Sequence, residues 1–443
     1  MQNTKRITRI ISAAGLTVLA AAFIHWASGW TGEPVYILTG ALSAALFAAV
    51  CLRYVPCWVE FWWGEGQKSL SHRGSGKNSA LIFISCLAIC FLVLLVAWMV
   101  RLMSGWHGSF KESIGYWINL DSRHYIDIAR DWYLSDGPWD RLVQLAFFPG
   151  YPLTIGLMNL LVGDYMYSAL IVAALCFAVS GVLLYKLMLL DMPEERALAA
   201  VRYLCIIPGA FFFAAPMSES LFLSLSLGCV YLIRKNRWLL GCAVGALAGF
   251  TRSLGIVLLV PAVFELLHLK LKGRALLKRA ACLLIIPLGL MAYFYINYAV
   301  SGDPFKFMQY QREHWGQGMG WFFNTAAYQH EAAVSFFAAG NGKVALGLWC
   351  ANLFCSFASL AVMLFGVKNI RPSYGAYFLC YYIAAIGATW LLSAPRYLAA
   401  QFALPAALAA SVKNRTAEMG LSLVCIILST LYLCAFVLGC QVW

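Results

Sequence analysis

Ala80-Leu81-Ile82-Phe83-Ile84-Ser85-Cys86-Leu87-Ala88-Ile89-Cys90-Phe91-Leu92-Val93-Leu94-Leu95-Val96-Ala97-Trp98-Met99-Val100 contains no charged side chain. A helix of that length reaches across the hydrocarbon core of a bilayer, about 30 Å. The run, 79–103 in full, is not alone: others lie at about 9–30, 35–57, 146–163, 166–190, 198–215, 218–234, 237–252, 254–270, 280–300, 343–366, 374–392, 396–411 and 420–440. Of the 443 residues, 62% are hydrophobic and 12% charged, against roughly 45–50% and about 25% in soluble domains. The chain therefore reads as an all-α integral membrane protein. This excludes a soluble enzyme, a disordered scaffold and a secreted disulfide module. A porin is excluded too, because the apolar residues come in blocks rather than alternating.

The net charge of +13 would suggest nucleic acid in a soluble chain. Here the cations sit in short loops between apolar runs, where they set topology, and no nucleic-acid partner is expected. Lys5, Arg6 and Arg9 place the N-terminus in the cytoplasm. They also precede an apolar run as in a signal peptide, but the run is long and lacks a small-residue cleavage site, so it is expected to be retained. Lys68, Arg73 and Lys77 then fall inside, and 104–145 outside. If 146–163 crossed, the clusters Arg234/Lys235/Arg237, Lys270/Lys272/Arg274/Lys278/Arg279, Lys368/Arg371 and Lys413/Arg415 would all lie outside. If it does not cross, all return inside. The segment also carries Pro149, Pro152, Thr154 and Asn159, and is expected to lie on the outer face. This leaves about 13 transmembrane helices, with the C-terminus outside. The 15 cysteines form no metal spacing, and the polar segments 104–145 and 301–342 contain none, so no disulfide is expected there.

This topology gathers polar residues on one face, and charges at the ends of apolar runs are functional candidates. From Asn119 to Arg130, Ile126 and Ala129, continued by Tyr133 and Leu134, predict a short amphipathic helix starting near Asp121. Asp121 is either its N-cap or a catalytic base. Arg123 follows it, and His124 and Tyr125 are either ligands or interfacial anchors. Glu219 either complements a helix dipole, with Ser218 or Ser220 as cap, or belongs to a site. Arg252 and Arg396, the latter beside Tyr397, either snorkel or meet a lipid phosphate. Asp303, in Gly302-Asp303-Pro304, reads as a turn former. The aromatic stretch beyond it suggests an interfacial helix, with Gln311 and Trp315 facing either a sugar or the membrane surface. No P-loop and no HExxH are present. A metal set of Asp121, His124 and Asp127 is the weakest reading, and no cofactor or metal is expected.

Read together, five segments resemble the PIG-V family of mannosyltransferases, which in eukaryotes add the second mannose of the GPI anchor and have bacterial relatives. Asp121-Ser122-Arg123-His124-Tyr125 with Ile128-Ala129, and Phe147-Phe148-Pro149-Gly150-Tyr151-Pro152, resemble its first luminal loop. Ser218-Glu219-Ser220-Leu221-Phe222 is similar to its (S/T)E(S/A)LF segment, and Thr251-Arg252-Ser253-Leu254-Gly255 to its RSxG segment. Gly302-Asp303-Pro304 with Gln311 and Trp315 resembles its GDP…Q…W stretch. The likeness covers about 105–316 well and the C-terminal spans loosely. It departs at Leu120, where the family commonly has Trp, and at the first two spans. Residues 1–60 therefore read as an added transmembrane hairpin before a core of 61–443 with outer loops 104–163 and 301–342.

The resemblance implies a GT-C fold in the bacterial cytoplasmic membrane, with its site facing outside. It implies a polyprenyl-phosphate sugar donor, mannose by the family, and a glycan, glycolipid or protein acceptor. Asp121 would be the general base of a single inverting displacement. Arg252 and Arg396 would hold the lipid phosphate, and Glu219 would orient Arg252 or the sugar. Two other classes compete. An O-antigen-ligase-like transferase would lean on His314 and His330. A lipid or glycan transporter would show internal repeats, and none is seen.

Overall fold

A computed structural model describes residues 2–64, 75–133 and 141–442; Lys68, Arg73 and Leu134 of the sequence reading lie outside them. The architecture is all-helical. Among the described residues there is no strand, only an isolated bridge between Met319 and Ala388. Among the described residues seven helices are long and apolar enough to cross a bilayer unaided: Thr4–Ser28, Pro34–Trp63, Gly76–Met103, Tyr165–Met188, Gly273–Ser301, Gly342–Gly366 and Arg415–Val437. The other expected crossings are shorter or broken. The run 198–215 is a helix only to Ile206, then turns at Pro208 into a short 3-10 segment, Ala210–Ala214. The run 396–411 splits into Ala394–Ala399 and Ala403–Ser411. These interruptions bring polar backbone and side chains to one end of the bundle, which an unbroken span would not do.

The segment expected to lie on the surface forms helix Gly150–Val162. Its 13 residues span roughly 20 Å, less than the roughly 30 Å hydrocarbon core. Leu157, Leu160 and Leu161 are exposed on it. In the same loop stand Phe110–Ile114, started by a capping box between Ser109 and Glu112, and Asp121–Asp131.

Two expectations need correction. The stretch 301–342 carries, besides the helix expected along its aromatic residues, Lys306–Trp315, a second helix that was not expected, Phe322–Ala338. Polar residues hid the second, and three of them have specific partners. Asn324 Oδ1 accepts from Trp26 Nε1 at 2.8 Å, His330 Nδ1 meets Thr39 Oγ1 at 2.8 Å, and Gln329 Nε2 donates to Leu391 O at 3.2 Å. The first two of these contacts bind the N-terminal hairpin to the body of the protein. Its second helix also packs Phe47 against Phe322 (4.6 Å) and donates Tyr54 OH to Pro372 O at 3.0 Å. The cluster Arg274/Lys278/Arg279, expected in a loop, lies on helix Gly273–Leu283.

Helix Glu219–Arg234 runs through the core, its ends roughly 22 Å apart. At its Arg234 end lies a buried ionic cluster. Arg234 grips Asp191 with two nitrogens (2.7 and 2.9 Å), and Arg371 grips Glu265 likewise (2.6 and 2.8 Å). Tyr374 OH and Ser373 Oγ donate to Asp191 and Glu265 at 2.8 and 2.6 Å. Two cations and two carboxylates are thus paired fork to fork. All 15 cysteines are free.

Candidate active site

At the other end of that helix four charged side chains converge from four separate segments. Each is put there by a local feature of the chain.

Asp121 is the first residue of helix Asp121–Asp131. Leu120 before it has φ 54° and ψ −133°, a conformation costly for a residue with a Cβ. It is held by a hydrogen bond from Leu120 N to Asn119 Oδ1 at 2.8 Å. Asp121 makes no capping bond; Ser122 Oγ accepts from Asn119 N instead, at 2.8 Å. The carboxylate is paired through Oδ2 with Arg396 Nη2, so the cap reading is set aside. Oδ1 has no hydrogen bond among the described residues, and the side chain keeps 28% of its exposure.

Glu219 begins helix Glu219–Arg234 and is fully buried. Neither neighbouring serine caps that helix. Ser218 Oγ instead meets Arg252 Nη1 at 3.1 Å and Tyr125 OH at 3.0 Å, and Ser220 Oγ donates to Phe213 O at 2.9 Å. Glu219 Oε1 accepts from both arginines, from Arg396 Nε at 2.5 Å and from Arg252 Nη1. Its Oε2 is buried without a partner among the described residues.

Arg252 is extended (φ −154°) between helix Trp238–Thr251 and the 3-10 turn Ser253–Leu258. The chain doubles back so tightly that a Cβ on Gly255 would stand 2.3 Å from Gly249 N. Only glycine permits this, which is why the Arg-Ser-x-Gly pattern presents its arginine here. Arg396 stands on the short helix Ala394–Ala399. Gly209, at φ +86°, lies where a Cβ would be 2.7 Å from Pro395 O, so the break after Ile206 lets the arginine loop close in. Tyr397 offers its ring to the Arg252 guanidinium at 4.9 Å.

The quartet opens on a cavity of about 230 Å³. Asp121, His124, Tyr125, Arg252, Gln311, Trp315, Arg396 and Tyr397 line it, with Glu219 buried behind. Arg123 is exposed and does not line it, because it points off the opposite face of its helix. His124 stacks on Phe147 at 4.4 Å, and its Nδ1 is buried without a partner among the described residues. Burial pushes its pKa below 6.5, against the opposing pull of Asp121, so the imidazole is neutral near pH 7. Tyr125 is no surface anchor: it is buried edge-on to Phe147 and Tyr151. Trp315 packs edge-on to Phe147 at 5.7 Å.

Sequence reasoning passed over Gln317 and Ser393 as lining residues. Gln317 follows the helix end at Gly316, and no periodicity points to it. Asp303 accepts from Phe305 N at 2.9 Å as a turn former. Asp127 pairs with Arg130 at 3.0 Å, and neither His314 nor His330 lines the cavity. An orphaned neutral imidazole, a half-free carboxylate and two guanidiniums can bind hydroxyls, accept a proton and hold an anion.

No family model matches the chain. It is 28% identical over 207 residues to human (Homo sapiens) GPI alpha-1,6-mannosyltransferase 2, a match covering 43% of this chain and 39% of that protein. The chain thus spans well under half the length of that curated relative. Among solved structures it overlays on ArnT from Cupriavidus metallidurans bound to undecaprenyl phosphate, with a TM-score of 0.47 and 15% identity, over 79% of this chain and 63% of the other. By sequence, the protein is similar to the PIG-V mannosyltransferases that its loop motifs resemble.

Proposed function

We propose that the protein is a GT-C glycosyltransferase that moves a hexose from a polyprenyl-phosphate sugar to an acceptor hydroxyl at the outer face of the membrane. The similarity to a mannosyltransferase favours mannose. The observation that carries the reading is one cavity bordered by the Asp121 carboxylate and by the Arg252 and Arg396 guanidiniums. In the resting quartet two negative and two positive charges balance. Arg396 Nη1 and two nitrogens of Arg252 take no hydrogen bond among the described residues. They are the donors left for a lipid phosphate, two of whose oxygens a planar guanidinium can hold in a fork.

In this reading the donor phosphate competes with Asp121 for Arg396. Asp121 Oδ1 takes the proton of the acceptor hydroxyl as that oxygen bonds to the anomeric carbon. The carbon–oxygen bond to phosphate breaks, and its electron pair leaves with the polyprenyl phosphate. A single displacement inverts the anomeric centre. The arginines stabilise charge growing on the leaving phosphate, in a site walled from water by Phe147, Phe148 and Trp315. Gln311 is placed to bond sugar hydroxyls, and the His124 ring borders the same cavity. The volume is below the roughly 300–1,000 Å³ of drug-sized pockets, which fits a sugar head with the lipid chain outside. The positive-inside pattern supports a cytoplasmic N-terminus and an outward site.

The test supplies purified protein in nanodiscs with polyprenyl-phosphate mannose, glucose or galactose, and a membrane extract as acceptor. Release of free polyprenyl phosphate with mannose is expected. Release with another sugar would replace the donor, and no release from folded protein with any donor would overturn the reading.

A further inference from the structure

A second cavity, of about 620 Å³, lies between helices Trp238–Thr251 and Gly273–Leu283. It sits at the end of helix Trp238–Thr251 away from Arg252. Its wall is apolar, built from Trp238, Leu239 and Leu240 among others, and its cations are Arg237, Lys278 and Arg279. No carboxylate lines it. No ion pair among the described residues uses any of the three cations. The mouth is organised: Asn236, at φ +62°, accepts through one oxygen from Trp238 Nε1 (3.1 Å) and Arg279 Nη2 (2.9 Å). Leu239 and Leu240 are exposed, so the apolar wall continues into the lipid-facing surface.

We propose that this groove binds an anionic glycerophospholipid, with its phosphate among Arg237, Lys278 and Arg279 and one acyl chain along Leu239 and Leu240. The argument is complementarity. Unpaired cations above an apolar trough match a lipid that joins an anion to a chain, and basic pockets between membrane helices bind such head groups. A cluster serving only to set topology needs neither the trough nor the fixed Arg279.

The test is intact-complex mass spectrometry of the full chain in neutral detergent, titrated with dioleoyl phosphatidylglycerol or dioleoyl phosphatidylcholine. Retention of the anionic lipid at about tenfold lower concentration is expected. The triple variant Arg237→Gln/Lys278→Gln/Arg279→Gln should lose that preference. The triple variant Lys235→Gln/Lys272→Gln/Arg274→Gln, with the same charge change near the same end but outside the groove, should keep it. No preference in the wild type, or equal loss in both variants, would overturn the proposal. So would displacement of the lipid by glycerol 3-phosphate alone, which would mean a phosphate site without a chain. Should the first triple variant not fold, the single variant Lys278→Gln is expected to weaken the preference alone, and an unchanged preference would count against the site.

Discussion

Helix Glu219–Arg234 joins two ionic quartets of identical composition and opposite character. At its Arg234 end, Asp191 and Glu265 each receive a two-pronged guanidinium, and Tyr374 and Ser373 fill further acceptor sites. At its Glu219 end, one carboxylate oxygen serves both arginines, the other has no partner among the described residues, and Asp121 is held by a single oxygen. In the first arrangement all four carboxylate oxygens accept hydrogen bonds. The second leaves donors and an acceptor over, and they border a cavity. Buried charge alone does not mark a site. Unspent hydrogen-bonding capacity beside an open space does, because a ligand can complete it.

If the difference is real, substitutions at the two ends should fail in different ways. Asp121→Asn should cost the most in rate, roughly 10²–10⁴-fold in transfer, with thermal unfolding close to wild type because an amide still accepts from Arg396. A variant that unfolds instead would make Asp121 a structural residue. Glu265→Gln should do the reverse. Leaving Arg371 half-compensated in a buried pair should cost about 3–5 kcal/mol of stability, read by thermal or denaturant melts, with the rate per folded molecule within about twofold of wild type. Arg396→Lys keeps the charge but cannot bridge Asp121 and Glu219 together. A fall of roughly 10²-fold is expected, mostly in kcat if the arginine acts on the leaving phosphate; an effect confined to KM would restrict it to binding.

His124→Gln should be the mildest, a few-fold rise in the donor's KM for one hydrogen bond worth about 1 kcal/mol. Its pH dependence sharpens the point. The folded pKa of His124 lies below 6.5, so the folded state disfavours the proton. The associated stability is present above pH 6.5 and is lost as pH falls towards the lowered value. Melts from pH 7.5 to 5 should show this loss in the wild type and a smaller one in His124→Gln. Equal losses would mean that other groups carry it.

The candidate site was more legible than the fold. Its residues sit in motifs interrupting apolar runs, where a charge has no reason to be unless something needs it. Asp121, Glu219, Arg252 and Arg396 stood out for that reason, although only the folded chain shows that one glutamate oxygen ties both arginines. Long spans such as Gly76–Met103 were equally plain. The broken ones were not, because hydropathy does not reveal that Gly209 must lie against Pro395 or that a span stops at Ile206. Helix Phe322–Ala338 was hidden by polar residues whose partners, such as Trp26 and Thr39, lie some three hundred positions away in the chain. The quartet at the Arg234 end left one overlooked signal, Glu265 inside the apolar run 254–270, whose need for a buried cation could have been foreseen.

The most direct test compares Asp121→Asn with Asp191→Asn, one carboxylate from each quartet. Purified variants receive polyprenyl-phosphate mannose and acceptor extract, and polyprenyl phosphate release is measured per folded molecule. The account expects a loss of at least about 10²-fold for Asp121→Asn, and a rate close to wild type for Asp191→Asn with its stability reduced. Comparable rates in the two variants, or the greater loss in Asp191→Asn, would contradict it.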